Sequence, residues 1–293
     1  MALTIEPYQT DDMKELVWLS KEISDNLLEN TNLQAAYTAK DNQKIIGLAI
    51  AWKSTFHPFC TYFRIWADPK YENFAARQKL LHKLEQLQEK AVPLQTSLWD
   101  GNHFMQTFYE RQGFRLIRKT HIHKILLTDC FISKLPKSRH EEGIKVASLD
   151  QVIENPKFKG QLLKLVKDNY EQTHLVNPVA NFDLDTWQSL VLAEDVLANA
   201  SFVCVHTKQQ LVVAYAFMHQ SKVKDTLELG WFGALESSYI NWIVDIVRQQ
   251  ILFAIQQGYA YIETEFDSTN PHAMKVLEAM PFPDNPVWLT YQK

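Results

Sequence analysis

The spacing of apolar and polar positions changes several times along the chain, and each change marks an element. Residues 60–67 hold Thr61, Tyr62, Phe63, Ile65 and Trp66, the aromatic and β-branched make-up of a strand. Residues 68–73 stop it, because Pro69 has no N–H and Asp and Asn favour turns. From Phe74 the period becomes helical, with Leu80, Leu81, Leu84 and Leu87 on one face. Residues 93–98 predict a second strand, Asp100-Gly101-Asn102 a turn, and residues 103–112 a short helix ending in Gly113-Phe114. A strand that feeds a turn and a helix start aims free backbone N–H groups at one point, which suits an anion.

Upstream, residues 3–7 predict a strand. Asp11-Asp12 can cap a helix carrying Met13, Leu16, Leu19 and Ile23, which the polar residues 29–32 end. Residues 35–39 and 44–52 predict a hairpin over Lys40-Asp41-Asn42-Gln43. Residues 45–50 are apolar on both faces, as a central strand should be. Residues 114–128 predict the strand, or bent pair of strands, that closes this unit.

The polar, Pro- and Gly-punctuated residues 134–143 predict a linker. Beyond it the same order returns. Residues 144–147 predict a strand, a helix starts at Leu149, and residues 201–206 and 211–219 form a hairpin. Residues 226–234 are a strand, and Ile240, Val244, Val247, Ile251 and Ile255 make a helical stripe. Residues 259–266, 271–280 and 287–291 follow as strand, helix and strand. A tandem duplication with domains at 1–135 and 144–293 explains this repetition.

The segment Asn102-His103-Phe104-Met105-Gln106-Thr107-Phe108-Tyr109-Glu110-Arg111-Gln112-Gly113-Phe114 resembles the Asn-x-x-Ala-x-x-Phe-Tyr-x-x-x-Gly-Phe segment of the GNAT N-acetyltransferase superfamily. Met105 stands where a small residue is usual. The second half is similar around Thr264 and Asn270, which stand six apart as Thr96 and Asn102 do. The resemblance implies an α/β (α+β) chain of two tandem GNAT-like domains. Each would be a mixed, mostly antiparallel twisted sheet flanked by helices. It implies acetyl-CoA as cosubstrate and an acetyl group passed to a primary amine of a small molecule or peptide.

The same resemblance assigns residues. The pantetheine arm would lie along the backbone of Ile65, Trp66 and Ala67 like an added strand. Tyr71, Asn73, Phe74, Ala75, Ala76 and Arg77 would hold the pyrophosphate, with Asn102 and Tyr109 completing the cofactor site. Tyr109 would protonate the departing thiolate, a task suited to a phenol with an ordinary pKa of about 10.

Ala75 and Arg77 fill the family's glycine positions. Arg77 can pair with a phosphate, or be a solvated first-turn residue of a lapsed site. Tyr109 can be the proton donor or a core residue beside Phe108. In the second half Val276-Leu277 replaces Phe-Tyr and Pro281-Phe282 replaces Gly-Phe, so chemistry is expected in the first half. Glu228, flanked by Leu227 and Leu229, is either a general base or a carboxylate facing water. The alternative function is a degenerate pair that binds a ligand or partner without catalysis.

Composition narrows the remaining classes. A net charge of −4 and a pI near 6.2 give no electrostatic case for nucleic acid or an anionic membrane. Cys60, Cys130 and Cys204 are too few and too scattered for a disulfide framework or a zinc site. His121 and His123 share a strand face without a third ligand nearby, so no metal is expected. There is no Walker A sequence, nucleophile elbow or dinucleotide loop. The longest apolar run, residues 45–52, is too short to span a bilayer, and no secretory pattern opens the sequence. A cytoplasmic setting is expected, and nothing excludes a homodimer.

Overall fold

The computed structural model describes residues 3–19, 32–71, 74–87, 92–138 and 142–293. Its strands are β1 (Leu3–Pro7), β2 (Leu33–Asp41), β3 (Lys44–Trp52), β4 (Thr61–Ala67), β5 (Leu94–Trp99), β6 (Arg115–Leu126), β7 (Ile144–Ser148), β8 (Phe202–His206), β9 (Leu211–Gln220), β10 (Thr226–Ala234), β11 (Tyr261–Asp267) and β12 (Val287–Gln292). Its helices are α1 (Phe74–Glu85), α2 (His103–Arg111), α3 (Asp129–Ser133), α4 (Leu149–Ile153), α5 (Pro156–Thr173), α6 (Leu184–Val191), α7 (Ile240–Gln256) and α8 (Pro271–Ala279). The chain divides into two compact units. Unit 1 holds residues 1–117, 176–180 and 289–293; unit 2 holds 118–175 and 181–288.

In unit 1 the strand order is β1-β2-β3-β4-β5-β12. The β2–β3 hairpin turns at Asn42 and Gln43, both with positive φ (50° and 69°). Ile45 to Ala51 of β3 are buried, as the apolar run requires of a central strand. Helix α1 lays Leu80, Leu81 and Leu84 into the core. Leu87 lies past its end and is 48% exposed, so the apolar stripe stops one turn earlier than its spacing predicts.

The helix expected from Met13 onward is replaced by two short 3₁₀ turns, at Thr10–Glu15 and Val17–Leu19. Residues three apart eclipse in that geometry, which brings Leu16 and Leu19 together onto Ile45, Leu48 and Ile50. The Asp12 carboxylate accepts the Gln9 N–H at 2.8 Å, closing the start of the turn. Ile23 lies outside the described residues.

In unit 2 the order is β6-β11-β10-β9-β8-β7. Helix α7 buries Ile243, Val244, Val247 and Ile251 in one core with Leu227, Leu229, Ile262 and Val276. Strand β6 pairs antiparallel with β11, from Leu126–Tyr261 to Thr120–Asp267. Residues 118–126 therefore complete the sheet of unit 2, and do not close unit 1 as their position in the sequence predicts. In unit 1 that place is taken by β12: Leu94 and Lys293 exchange both backbone hydrogen bonds, at 2.9 and 3.0 Å, the mark of an antiparallel pair. Both units repeat strand, hairpin, strand, helix, strand, helix: β1 to α2 in one, β7 to α8 in the other. The chain is a tandem of two such α/β domains.

Candidate functional site

In unit 1 the parallel ladder between β4 and β5 is two pairs long, Thr61–Leu94 and Tyr62–Gln95. The other edge of β4 stays paired with β3 out to Ala67. From Phe63 to Ala67 no ladder pairs β4 with β5, and that stretch contains Ile65, Trp66 and Ala67. A parting of strands of this kind leaves N–H and C=O groups for an extended ligand. Ile65 and Ala67 are buried, and Trp66 packs on the Leu16–Ile45–Leu48 cluster.

The turn after β4 is set by Asp68. Its carboxylate accepts the Lys70 N–H at 2.9 Å, and its carbonyl accepts the Tyr71 N–H at 2.8 Å. The Lys44 ammonium lies 4.7 Å from the centre of the Tyr71 ring. Phe74, Ala75, Ala76 and Arg77 then form the first turn of α1, the end of the helix that carries its partial positive charge. Ala76 is fully buried and Ala75 exposed. Phe74 packs edge-on to Phe108 at 5.1 Å, and the Arg77 guanidinium lies 4.9 Å over Phe104. Asn73 lies outside the described residues.

Helix α2 starts where local chemistry directs. The Asn102 side chain accepts the Met105 N–H at 3.2 Å as N-cap, and Gly113 follows the helix with φ of 86°. Between them Tyr109 is 3% exposed, enclosed by Phe63, Phe108, Phe114 and Tyr291 at 5.3–6.3 Å between ring centres. Burial pushes its pKa up to about 12, against the opposing pull of a hydrogen bond with Thr96 and the charges of Arg77 and Arg64. The phenol keeps its proton at neutral pH. Thr96 follows Gln95, the last β5 residue paired with β4, so the Tyr109 hydroxyl lies beside the point where the strands part.

In unit 2, β10 and β11 pair from Thr226–Tyr261 to Leu229–Thr264. Against β9, the register of β10 then shifts between Leu229 and Phe232. A cleft of about 250 Å³ lies here, and its lining includes Glu228, Trp231, Glu265, Asp267, Asn169 and Asn270. Glu228 is exposed, as one of its two predicted settings requires, and it stands across the ladder from His219 and Glu263. Tyr109 and Glu228 belong to different units. Sequence reading missed Asn169, Glu265 and Asp267. Period-two alternation puts Glu263, Glu265 and Asp267 on one face of β11, but it says nothing of Asn169 on α5.

His123 is buried, and its Nδ1 accepts from Asn285 Nδ2 at 3.1 Å. Among the described residues no group of three His, Cys, Asp or Glu side chains could hold a metal ion. No helix among them is long and apolar enough to cross a membrane.

Residues 2–114 match the model of the acetyltransferase (GNAT) family. The fold is similar to a GCN5-related N-acetyltransferase from Sphaerobacter thermophilus, with a TM-score of 0.64 at 11% identity over 99% of this chain and 95% of that one. It is also similar to a tandem GNAT protein from the clavulanic acid biosynthesis pathway (TM-score 0.55, 11% identity, 100% and 98% covered). A third likeness is to a GCN5-related glucosamine N-acetyltransferase region of a fungal multi-domain GH3 β-N-acetylglucosaminidase (TM-score 0.63, 13% identity, 100% and 38% covered). No curated protein matches the chain. At such identities the structural likeness is one of fold. Over residues 2–114 the chain matches the GNAT family, and over its whole length it shares the fold of these structures, a tandem GNAT protein among them.

Proposed function

We propose that this protein is an N-acetyltransferase, passing an acetyl group from acetyl-CoA to a primary amine of a small molecule or peptide. The observation that carries the reading is the parting of β4 from β5 beside a protonated Tyr109. Acetyl-CoA would supply an activated thioester and a thiolate leaving group. The unpaired edge of β4 at Ile65–Trp66–Ala67 binds an extended arm by main-chain hydrogen bonds. The positive end of α1, Phe74 to Arg77, and the Arg77 guanidinium would attract the phosphates, and Tyr71 and Asn73 are proposed to join them. Asn102 holds α2 in place by capping it, and so positions Tyr109.

Tyr109 acts as general acid: its O–H proton goes to the departing sulfur, and a phenol that stays protonated is suited to this. Strand β4 carries no carboxylate, so beside Tyr109 water takes the proton from the attacking ammonium. The test is calorimetric titration with acetyl-CoA, followed by a thiol-release assay across primary amines. Saturable binding with amine-dependent thiol release is expected. Binding without release under any amine would favour a non-catalytic role, and no binding would sink the reading.

A further inference from the structure

We infer that Asn177 is a positioning residue for the cofactor site of unit 1, acting through the Tyr62 hydroxyl to fix the point at which β4 parts from β5. The inference rests on the acetyl-CoA reading of that site. It adds to the site a residue from far along the sequence, between α5 and α6.

Residues 176–180 belong to unit 1, and hydrogen bonds hold them there as a strap. One end is tied to the segment that follows β3. The Ser54 hydroxyl accepts the N–H groups of Phe56 and His57, both at 3.1 Å, which shapes that segment. The Phe56 carbonyl accepts the Ala180 N–H at 2.9 Å. His57 Nδ1 lies 3.0 Å from the Asn177 carbonyl oxygen and 3.2 Å from that of Pro178. Both partners are acceptors, so this nitrogen carries the proton and donates. Pro178 confines Asn177 to extended backbone, which limits where its side chain can reach.

That side chain meets the root of the site. Asn177 is 8% exposed, and its Nδ2 donates to the Tyr62 hydroxyl at 2.8 Å. Tyr62 and Gln95 form the last pair of the β4–β5 ladder. Gln292 of β12 donates to the Gln95 side chain at 3.4 Å and to the Val176 carbonyl at 3.3 Å. Both members of the last pair are thus held by side chains that belong to the strap or touch it. The buried Cys60 thiol also bonds with Tyr62 and Asn177. Burial pushes its pKa up to about 11, so it stays neutral and competes weakly for their hydrogen bonds. The ladder alone does not define where it ends. A strand edge is one repeating row of N–H and C=O groups, and β5 competes with an extended ligand for the same edge of β4. Pinning the last pair keeps the two strands from closing further along, and leaves Phe63 to Ala67 open.

The experiment uses the full chain and its variants Asn177→Leu, Tyr62→Phe, the two combined, and Val179→Ala. Calorimetric titration reads acetyl-CoA affinity at a temperature where thermal melts show every variant folded. Asn177→Leu and Tyr62→Phe should each weaken acetyl-CoA about three- to tenfold, because the open state is populated less. The combined variant should lose no more than the worse of the two, since both remove one bond. Val179→Ala trims the buried packing of the strap and keeps that bond, so it should lower the melting temperature and leave affinity unchanged. Amide exchange of the ligand-free chain reads the root directly. The Thr61 N–H, which donates to the Pro93 carbonyl at 2.8 Å, should exchange about tenfold faster in Asn177→Leu and in Tyr62→Phe. Should Asn177→Leu not fold, Tyr62→Phe decides. Unchanged Thr61 exchange, additive losses in the combined variant, or an equal loss of affinity in Val179→Ala would overturn the inference. If the unaltered chain binds no acetyl-CoA, the reading of the site falls, and Thr61 exchange still decides whether Asn177 fixes the parting of the strands.

Discussion

The Tyr291 hydroxyl donates a hydrogen bond to the Glu110 carboxylate at 3.2 Å, tying β12 to α2 within unit 1. Tyr291 is 2% exposed, and its ring lies 6.3 Å from that of Tyr109. The strand from the far end of the sequence thus forms one side of the tyrosine's enclosure. Tyr291→Ala should cost about 3–5 kcal/mol, the range for truncating a buried aromatic, as read by urea unfolding. Tyr291→Phe removes only the hydrogen bond and should cost about 1 kcal/mol. Equal losses in the two would show that packing at this position matters little.

Tyr109→Phe keeps the ring among Phe63, Phe108 and Phe114 and deletes the proton to be donated. Turnover should fall about 10²–10⁴-fold with acetyl-CoA affinity retained. Because its pKa is raised to about 12, ionisation of Tyr109 should produce no alkaline fall in kcat below about pH 10. A pH profile with such a fall, absent in the Phe variant, would contradict the buried, protonated phenol.

Arg77→Glu places a negative charge in the first turn of α1, where a phosphate is proposed to sit. Acetyl-CoA affinity should drop by roughly 1–3 kcal/mol. Arg77→Gln should lose less, since it removes the attraction without adding repulsion. Unchanged affinity in both would take Arg77 out of the site.

His123 should make unit 2 sensitive to acid. Burial lowers its pKa below the ordinary 6.5; nearby His121 adds to the effect and Asp284 opposes it. Burial lowers that of His272 as well. A depressed folded-state value means that the unfolded chain binds the proton first. Stability is therefore full above about pH 6.5 and declines as the pH falls through that value toward the folded-state pKa. Urea midpoints at pH 7.5 and 5 should show this decline. Replacing His123 by Gln should reduce the pH-dependent part, and an undiminished slope in that variant would assign the effect elsewhere.

Gly233→Ala should be harmful although the position is in regular strand. The added Cβ would stand 2.3 Å from Asn169 Nδ2 and 2.4 Å from Tyr215 Cε1, and the ring of Tyr215 is itself buried. Overpacking of this kind costs about 1–3 kcal/mol. Thermal unfolding of Gly233→Ala beside Gly160→Ala checks it, because nothing stands within 4 Å of a Cβ at Gly160. Equal stability of the two would show that Asn169 moves freely.

Much of the fold was legible from local pattern. The β2–β3 and β8–β9 hairpins and the stripes of α1 and α7 follow from which neighbours must be buried together, a demand written into residues two to four apart. Helix α2 was equally plain, since Asn102 caps it and Gly113 adopts the positive φ that follows it. The segment after Met13 was misread because a stripe at spacing three serves a 3₁₀ turn as well as an α-helix. Partnership between strands far apart in the sequence lay beyond reach. Alternation makes residues 115–126 and 287–292 strands, but a strand's edge is the same row of N–H and C=O groups whatever the sequence. Only the packing of side chains remote in sequence assigned β6 to β11 and β12 to β5. The cleft of unit 2 has the same origin. Glu228, Glu265 and Asn169 come from three elements, and their meeting is a property of packed surfaces that no single stretch of sequence carries.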